Sequence, residues 1–238
     1  MVVVAALLLL LLPPQPCEGK LQWLVQRLAN NHPEVLYFAD AHDSVLALTI
    51  DDSPDSVTTP LLLEVLREYD VRATFFIITD QIPGNESILR QLLREGHELG
   101  NHLTRDEPSI DLLPDVFAEE LRESHRILAE YAEPRWFRPG SGRFNQSMLD
   151  TLAEYGYRCA LGSVYPFDPH IRSAGFARRF ILWAAHPGGI VILHDRRSRG
   201  KRTASVLRAV LPELPRRGYR IGTLSELVPG SPGISTRP

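Results

Sequence analysis

Two adjacent carboxylates, Asp51 and Asp52, stand where the apolar stretch Val45-Leu46-Ala47-Leu48-Thr49-Ile50 gives way to Ser53-Pro54. Neighbouring side chains on a strand point to opposite faces, but a turn that begins at Asp52 brings both acids to one mouth. There one acid can ligate a metal while the other accepts a proton. A turn or a helix N-cap is the competing reading of the same pair. Downstream, His102 and Asp106 lie four residues apart, a step that suits a helical turn or tight loop with both side chains on one side. Asp52, His102 and Asp106 together make a donor set that could share one divalent cation. His97-Glu98 followed by His102 imitates the helical zinc-protease pattern, but its extra residue breaks the i, i+4 geometry. His97 therefore reads as a hydrogen-bonded core histidine. Arg138 and His194 complete the set, each at the close of a further strand-like run.

These groups act together only if the chain converges them. Strand-like runs occur at 45–50, 73–78, 97–102, 135–139, 157–163, 189–195 and 219–224. Helical patterns, with apolar residues three and four apart, fall near 58–69, 86–95, 114–132, 145–155, 175–185 and 203–214. A short amphipathic helix over 21–29 precedes them. Strands alternating with helices predict a parallel sheet, because parallel neighbours need crossover connections. Open or closed, such a sheet binds ligands at the carboxyl ends of its strands. Asp51, Asp52, His102, Asp106, Arg138 and His194 all obey that positional rule.

The rest of the chain narrows the function class. Its 238 residues are 44% hydrophobic and 23% charged, enough to bury a sizeable core. A net charge of -3 gives no electrostatic reason to expect a nucleic-acid partner. The basic cluster Arg196, Arg197, Arg199, Lys201 and Arg202 reads as a solvated loop after a strand. Cys17 and Cys159 form neither a disulfide framework nor a metal cluster. Residues 2–12 are an unbroken apolar run, long enough for a signal-peptide core and too short for a stable membrane span. The expected organisation is a leader over 1–20, a helix and connection over 21–44, a catalytic domain over 45–227 and a flexible tail over 228–238. A secreted or cell-wall location follows as an expectation.

At these residues the chain resembles the polysaccharide deacetylase family, the carbohydrate esterases that include chitin and peptidoglycan deacetylases. TIDDSP is similar to the family's TFDDGP, GHELGNHLTRD to GHEIGNHTxxH, FRPGSG to RxPxG and ILHD to the closing LxH. The pieces occur in the family's order across residues 45–227. The resemblance implies a distorted, incomplete α/β barrel of seven strands, with the active site at their carboxyl ends. It implies metal-dependent hydrolysis of N-acetyl groups on chitin-like or peptidoglycan-like polymers, releasing acetate. By motif position it makes Asp51 the general base, Asp52 and His102 metal ligands, Arg138 the group that orients Asp51, and His194 the general acid.

The sequence departs from that pattern in four places. Asp106 stands where the family has a second histidine; zinc is the first expectation and cobalt an alternative, while a carboxylate ligand shifts preference toward harder ions such as manganese or magnesium. Glu107 is the neighbouring alternative ligand. Ser53 replaces a glycine, and Gly140-Ser141 replaces a proline-aromatic pair. Where the family has an acid-rich tryptophan segment, Ser163-Val164-Tyr165-Pro166-Phe167-Asp168 leaves Asp168 as a candidate for tuning His194. Two alternatives stay open: hydrolysis of small amides, imides or O-acetyl esters, and carbohydrate binding without catalysis.

Overall fold

The computed structural model describes residues 20–40 and 44–229. The predicted leader, apart from Lys20, and residues 230–238 of the predicted tail lie outside the described residues.

Strands β1 (Val35–Leu36), β2 (Val45–Ser53), β3 (Thr74–Ile77), β4 (Glu98–Asn101), β5 (Trp136–Phe137), β6 (Arg158–Ala160), β7 (Ile190–His194) and β8 (Arg220–Gly222) form one sheet. Their order is β1-β6-β5-β4-β3-β2-β7, with β8 paired to the start of β2, and every pairing is parallel. The chain after β6 closes the circle. Val164 bridges Val191 of β7, its N–H donating to Ile190 O and its carbonyl accepting from Ile192 N. Among the described residues the expected barrel therefore has eight strands rather than seven. The additional strand, β1, is a short piece within the stretch 21–44 expected to be a helix and connection.

The helices are α1 (Lys20–Asn31), α2 (Thr58–Glu68), α3 (Glu86–Arg94), α4 (Pro114–Ala129), α5 (Gln146–Glu154), α6 (Ala174–Ala184), α7 (Arg197–Val210), α8 (Glu213–Arg216) and α9 (Leu224–Leu227). Their ends follow capping chemistry. Pro114 sits at the start of α4, Asn145 and Ser173 accept the first free N–H groups of α5 and α6, and Thr223 with Glu226 forms a capping box on α9. Helix α7 corrects the reading of the basic cluster as a loop: Arg197, Arg199, Lys201 and Arg202 all lie on its first turns. The apolar pattern begins only at Ala204, so periodicity placed its start six residues late.

Two-residue alternation divides the barrel's inside from its outside. Leu46, Leu48 and Ile50 of β2 pack outward with Phe75, Ile77, Val191 and Leu193 against α2, α3, α6 and α7. Val45, Ala47, Phe76, Trp136, Ala160 and Ile190 turn inward, with Leu224 and Leu227 of α9 packed among them. Gly100 is what makes room for Phe76: a Cβ there would sit 2.6 Å from the Phe76 ring. The inward register then carries on to the carboxyl ends, where Thr49, Asp51, Arg138 and His194 continue the same face.

Candidate active site

At the carboxyl mouth, Asp51 pairs in register with His194 on the neighbouring strand. Arg138 reaches across the barrel, and its Nη1 donates to Asp51 Oδ1 at 2.6 Å and to Thr49 Oγ1 at 2.7 Å. Its Nε and Nη2 donate to the carbonyls of Ala160 and Leu161, each at 2.9 Å, while the guanidinium lies 4.1 Å from the Phe76 ring centroid. Both members of the Arg138–Asp51 pair are buried, so the ion pair is screened by water and salt far less than a surface pair. His194 Nε2 faces Asp51 Oδ2 at 4.0 Å.

The other nitrogen of His194 is held by Asp168, at 3.0 Å from Oδ1. Burial alone pushes the imidazole toward its neutral form, but the Asp168 hydrogen bond and the charges of Asp168, Asp51 and Asp52 outweigh it and raise the His194 pKa. Asp168, named from its place in the 163–168 segment as a candidate for tuning His194, is thus in direct contact with it.

Asp52 leaves the strand with φ 64, the left-handed turn that brings it to the same mouth as Asp51. Leu103, Ser141 and Arg196, each next to a site segment, share this unusual backbone. Such strain collects where structure is held for function. Burial raises the Asp52 pKa, against the lowering effect of His102, His194 and Arg199. His102 Nδ1 lies 2.6 Å from Arg138 O; because that carbonyl only accepts, Nδ1 carries the proton and Nε2 offers its lone pair toward Asp52 Oδ1 at 3.7 Å.

A divalent cation is tested by those donors. Among the described residues Asp52 Oδ2 is buried without a hydrogen-bond partner, its nearest cation being the Arg199 ion pair at 3.0 Å, and His102 is fixed through its second nitrogen as a metal ligand requires. Asp52 and His102 therefore fit a cation. Asp106 does not stand ready as the third donor: its Oδ2 is taken by Arg196 Nη1 at 2.6 Å and lies 3.8 Å from Arg199 Nη2. Among the described residues no three His, Cys, Asp or Glu side chains come together closely enough to hold a metal ion. The expected set of Asp52, His102 and Asp106 is thus assembled only in its first two members, because two guanidiniums missed by the loop reading hold the third.

The remaining departures have structural reasons. Ser53 donates to Asp195 Oδ2 at 3.0 Å, and Asp195, fully buried, also accepts the hydroxyls of Thr58 and Thr59, tying the turn after β2 to the end of β7. Gly140 presses on the loop that carries Asp106 and Glu107: a Cβ there would lie 2.0 Å from Glu107 O. His97 is a buried core group, its Nδ1 accepting from Ala73 N–H at 3.2 Å, and burial lowers its pKa to about 4.

This geometry has relatives. The family model described as polysaccharide deacetylase matches residues 39–160. A peptidoglycan-N-acetylglucosamine deacetylase of Bacillus cereus is 32% identical over 190 residues, covering 79% of this chain and 89% of that protein. Among solved structures, a peptidoglycan N-acetylglucosamine deacetylase superposes with TM-score 0.77 at 25% identity, covering 82% of this chain and 92% of that one. A mutant of a CE4 family pseudoenzyme from Bacillus anthracis, with restored enzymatic activity, superposes with TM-score 0.74 at 27% identity, covering 81% and 70%. With the ordered motifs, the parallel barrel and these likenesses in agreement, the chain belongs to the polysaccharide deacetylase family.

Proposed function

We propose that this chain is a metal-dependent deacetylase that hydrolyses N-acetyl groups on amino-sugar polymers and releases acetate. The observation that carries the reading is Asp51, a buried carboxylate held by Arg138 and faced by a His194 whose proton affinity is raised. Asp51 accepts the proton of the attacking water, and Arg138 fixes which oxygen is free to do so. His194 gives its Nε2 proton to the departing amine as the carbon–nitrogen bond breaks, leaving acetate and the free amine. Asp168 fixes the His194 ring through Nδ1 and favours the protonated form needed for that step. Asp52 and His102 would hold a cation, zinc before manganese, cobalt or magnesium, which would supply Lewis-acid polarisation of the acetyl carbonyl.

Support for an N-acetylated polysaccharide as substrate comes from relatives that carry peptidoglycan deacetylase names. Secretion to the cell exterior belongs to the same proposal and rests on the apolar run at 2–12; N-terminal sequencing of exported protein checks it. Among the described residues no helix is long and apolar enough to cross a membrane. A second reading, carbohydrate binding without turnover, is favoured by one observation: Asp106 is engaged by guanidinium groups. Acetate release from chitin oligomers and peptidoglycan fragments separates the two, since a binding protein retains the sugar and releases nothing. Release from acetylated xylan alone would instead point to O-acetyl ester chemistry.

A further inference from the structure

Each of three acids at the mouth has a guanidinium as its nearest cationic partner. Asp51 is matched by Arg138, Asp106 by Arg196, and Asp52 by Arg199, whose Nη1 lies 3.0 Å from Asp52 Oδ2. That last contact is an ion pair without hydrogen-bond alignment, since Asp52 Oδ2 has no hydrogen-bond partner. Arg199 therefore supplies charge to an oxygen that accepts no aligned hydrogen bond among the described residues. The same guanidinium lies 3.8 Å from Asp106, so one cationic group stands between the two carboxylates expected to share a metal.

We infer that Arg199 is a resident cation that competes with the metal ion for Asp52 and Asp106. The inference rests on the deacetylase reading for the identity of the ligand, and on the ion-pair geometry for the competition. A divalent cation between these acids would face a neighbouring guanidinium of like charge, so loading requires Arg199 to withdraw.

The backbone is built to present this group. Arg196 and Arg197 both take positive φ, 92 and 53, conformations that cost a side-chain-bearing residue energy. They are held there by Arg196 N–H donating to Asp195 Oδ1 at 2.7 Å and Arg197 N–H donating to Asp55 Oδ2 at 3.1 Å. Next to Arg199, Gly200 lets the first turn of α7 press on the start of α2: a Cβ there would meet Thr58 Cβ at 2.4 Å and Asp195 Oδ1 at 2.5 Å. Arg199 is about one quarter exposed, whereas Asp52 is buried, so the guanidinium is the member of the pair in contact with solvent.

The experiment is a metal titration of the chelator-treated full chain, wild type and Arg199→Gln, with zinc followed by calorimetry and cobalt by its visible spectrum. The expected result is at least a tenfold tighter Kd in Arg199→Gln, with a larger metal-induced rise in Tm. Equal affinities in two proteins that both bind overturn the competition and leave the deacetylase reading standing. No binding by either overturns the competition and the metal-dependent reading together. A measurement on wild type alone covers a variant that does not fold: saturating manganese should speed phenylglyoxal modification of Arg199, and an unchanged rate in metal-loaded protein contradicts the inference.

Discussion

Arg138 and Asp51 are joined at 2.6 Å across the interior of the barrel, with both side chains almost fully removed from water. A charge left alone in that position is far costlier than the pair is stabilising. Arg138→Leu should lower stability by roughly 3–5 kcal/mol, read from urea unfolding. The double variant Arg138→Leu, Asp51→Leu should recover part of that loss, because it leaves no unpaired carboxylate; both should be inactive. Equal stability of the single variant and wild type would contradict the buried-pair account.

Asp168 touches His194 at 3.0 Å and is one of the groups that raise its proton affinity. Asp168→Asn should cut kcat by about 100-fold, in the range expected for a weakened general acid. It should also move the limb of the pH–rate profile that reports His194 to lower pH, because the raising influence is gone. A uniform loss of rate with an unshifted profile would reduce Asp168 to a packing role.

His97 offers a pH test away from the chemistry. Burial holds its folded pKa near 4, below the ordinary 6.5, so the unfolded chain binds the extra proton between those values. Its contribution is fully present above about pH 6.5 and is lost as pH falls toward 4, by no more than about 3 kcal/mol. His97→Gln should therefore lose less stability than wild type between pH 7 and pH 5 in thermal melts. Parallel losses in the two proteins would contradict the assignment.

Gly200 stands against Thr58 and Asp195 with no room for a methyl group. Gly200→Ala should destabilise the chain by about 1–3 kcal/mol through overpacking, seen as a lower urea midpoint with the slope retained. An unchanged midpoint would show that α7 does not press on the start of α2.

The convergence of Asp51, Arg138 and His194 was legible because each closes an apolar strand, and inward-facing positions at strand ends meet by alternation alone. The other seven strands and most helices were legible for the same reason, as was His97 as a core group. Val35–Leu36 was not, since it is short and precedes the alternation of strand with helix that begins at Val45. The role of the basic cluster was hidden because charged residues precede the apolar stripe of α7, so Arg196 and Arg199 read as solvent-facing when they hold Asp106 and Asp52. The sequence signal that could have found them is the exchange of a metal-binding histidine for Asp106 alongside arginines just after the ILHD strand. A carboxylate and a guanidinium make a pair that a histidine and a guanidinium do not.

The central claim is that Asp51 acts as the base while Asp52 and His102 hold the cation. Acetate release from N-acetylglucosamine oligomers, measured beside metal content for wild type, Asp51→Asn and His102→Ala, tests it most directly. The account predicts that Asp51→Asn loses turnover by about 100- to 10,000-fold while binding metal as wild type does, and that His102→Ala loses both. Undiminished acetate release by Asp51→Asn, or metal content unaffected in His102→Ala, would contradict it.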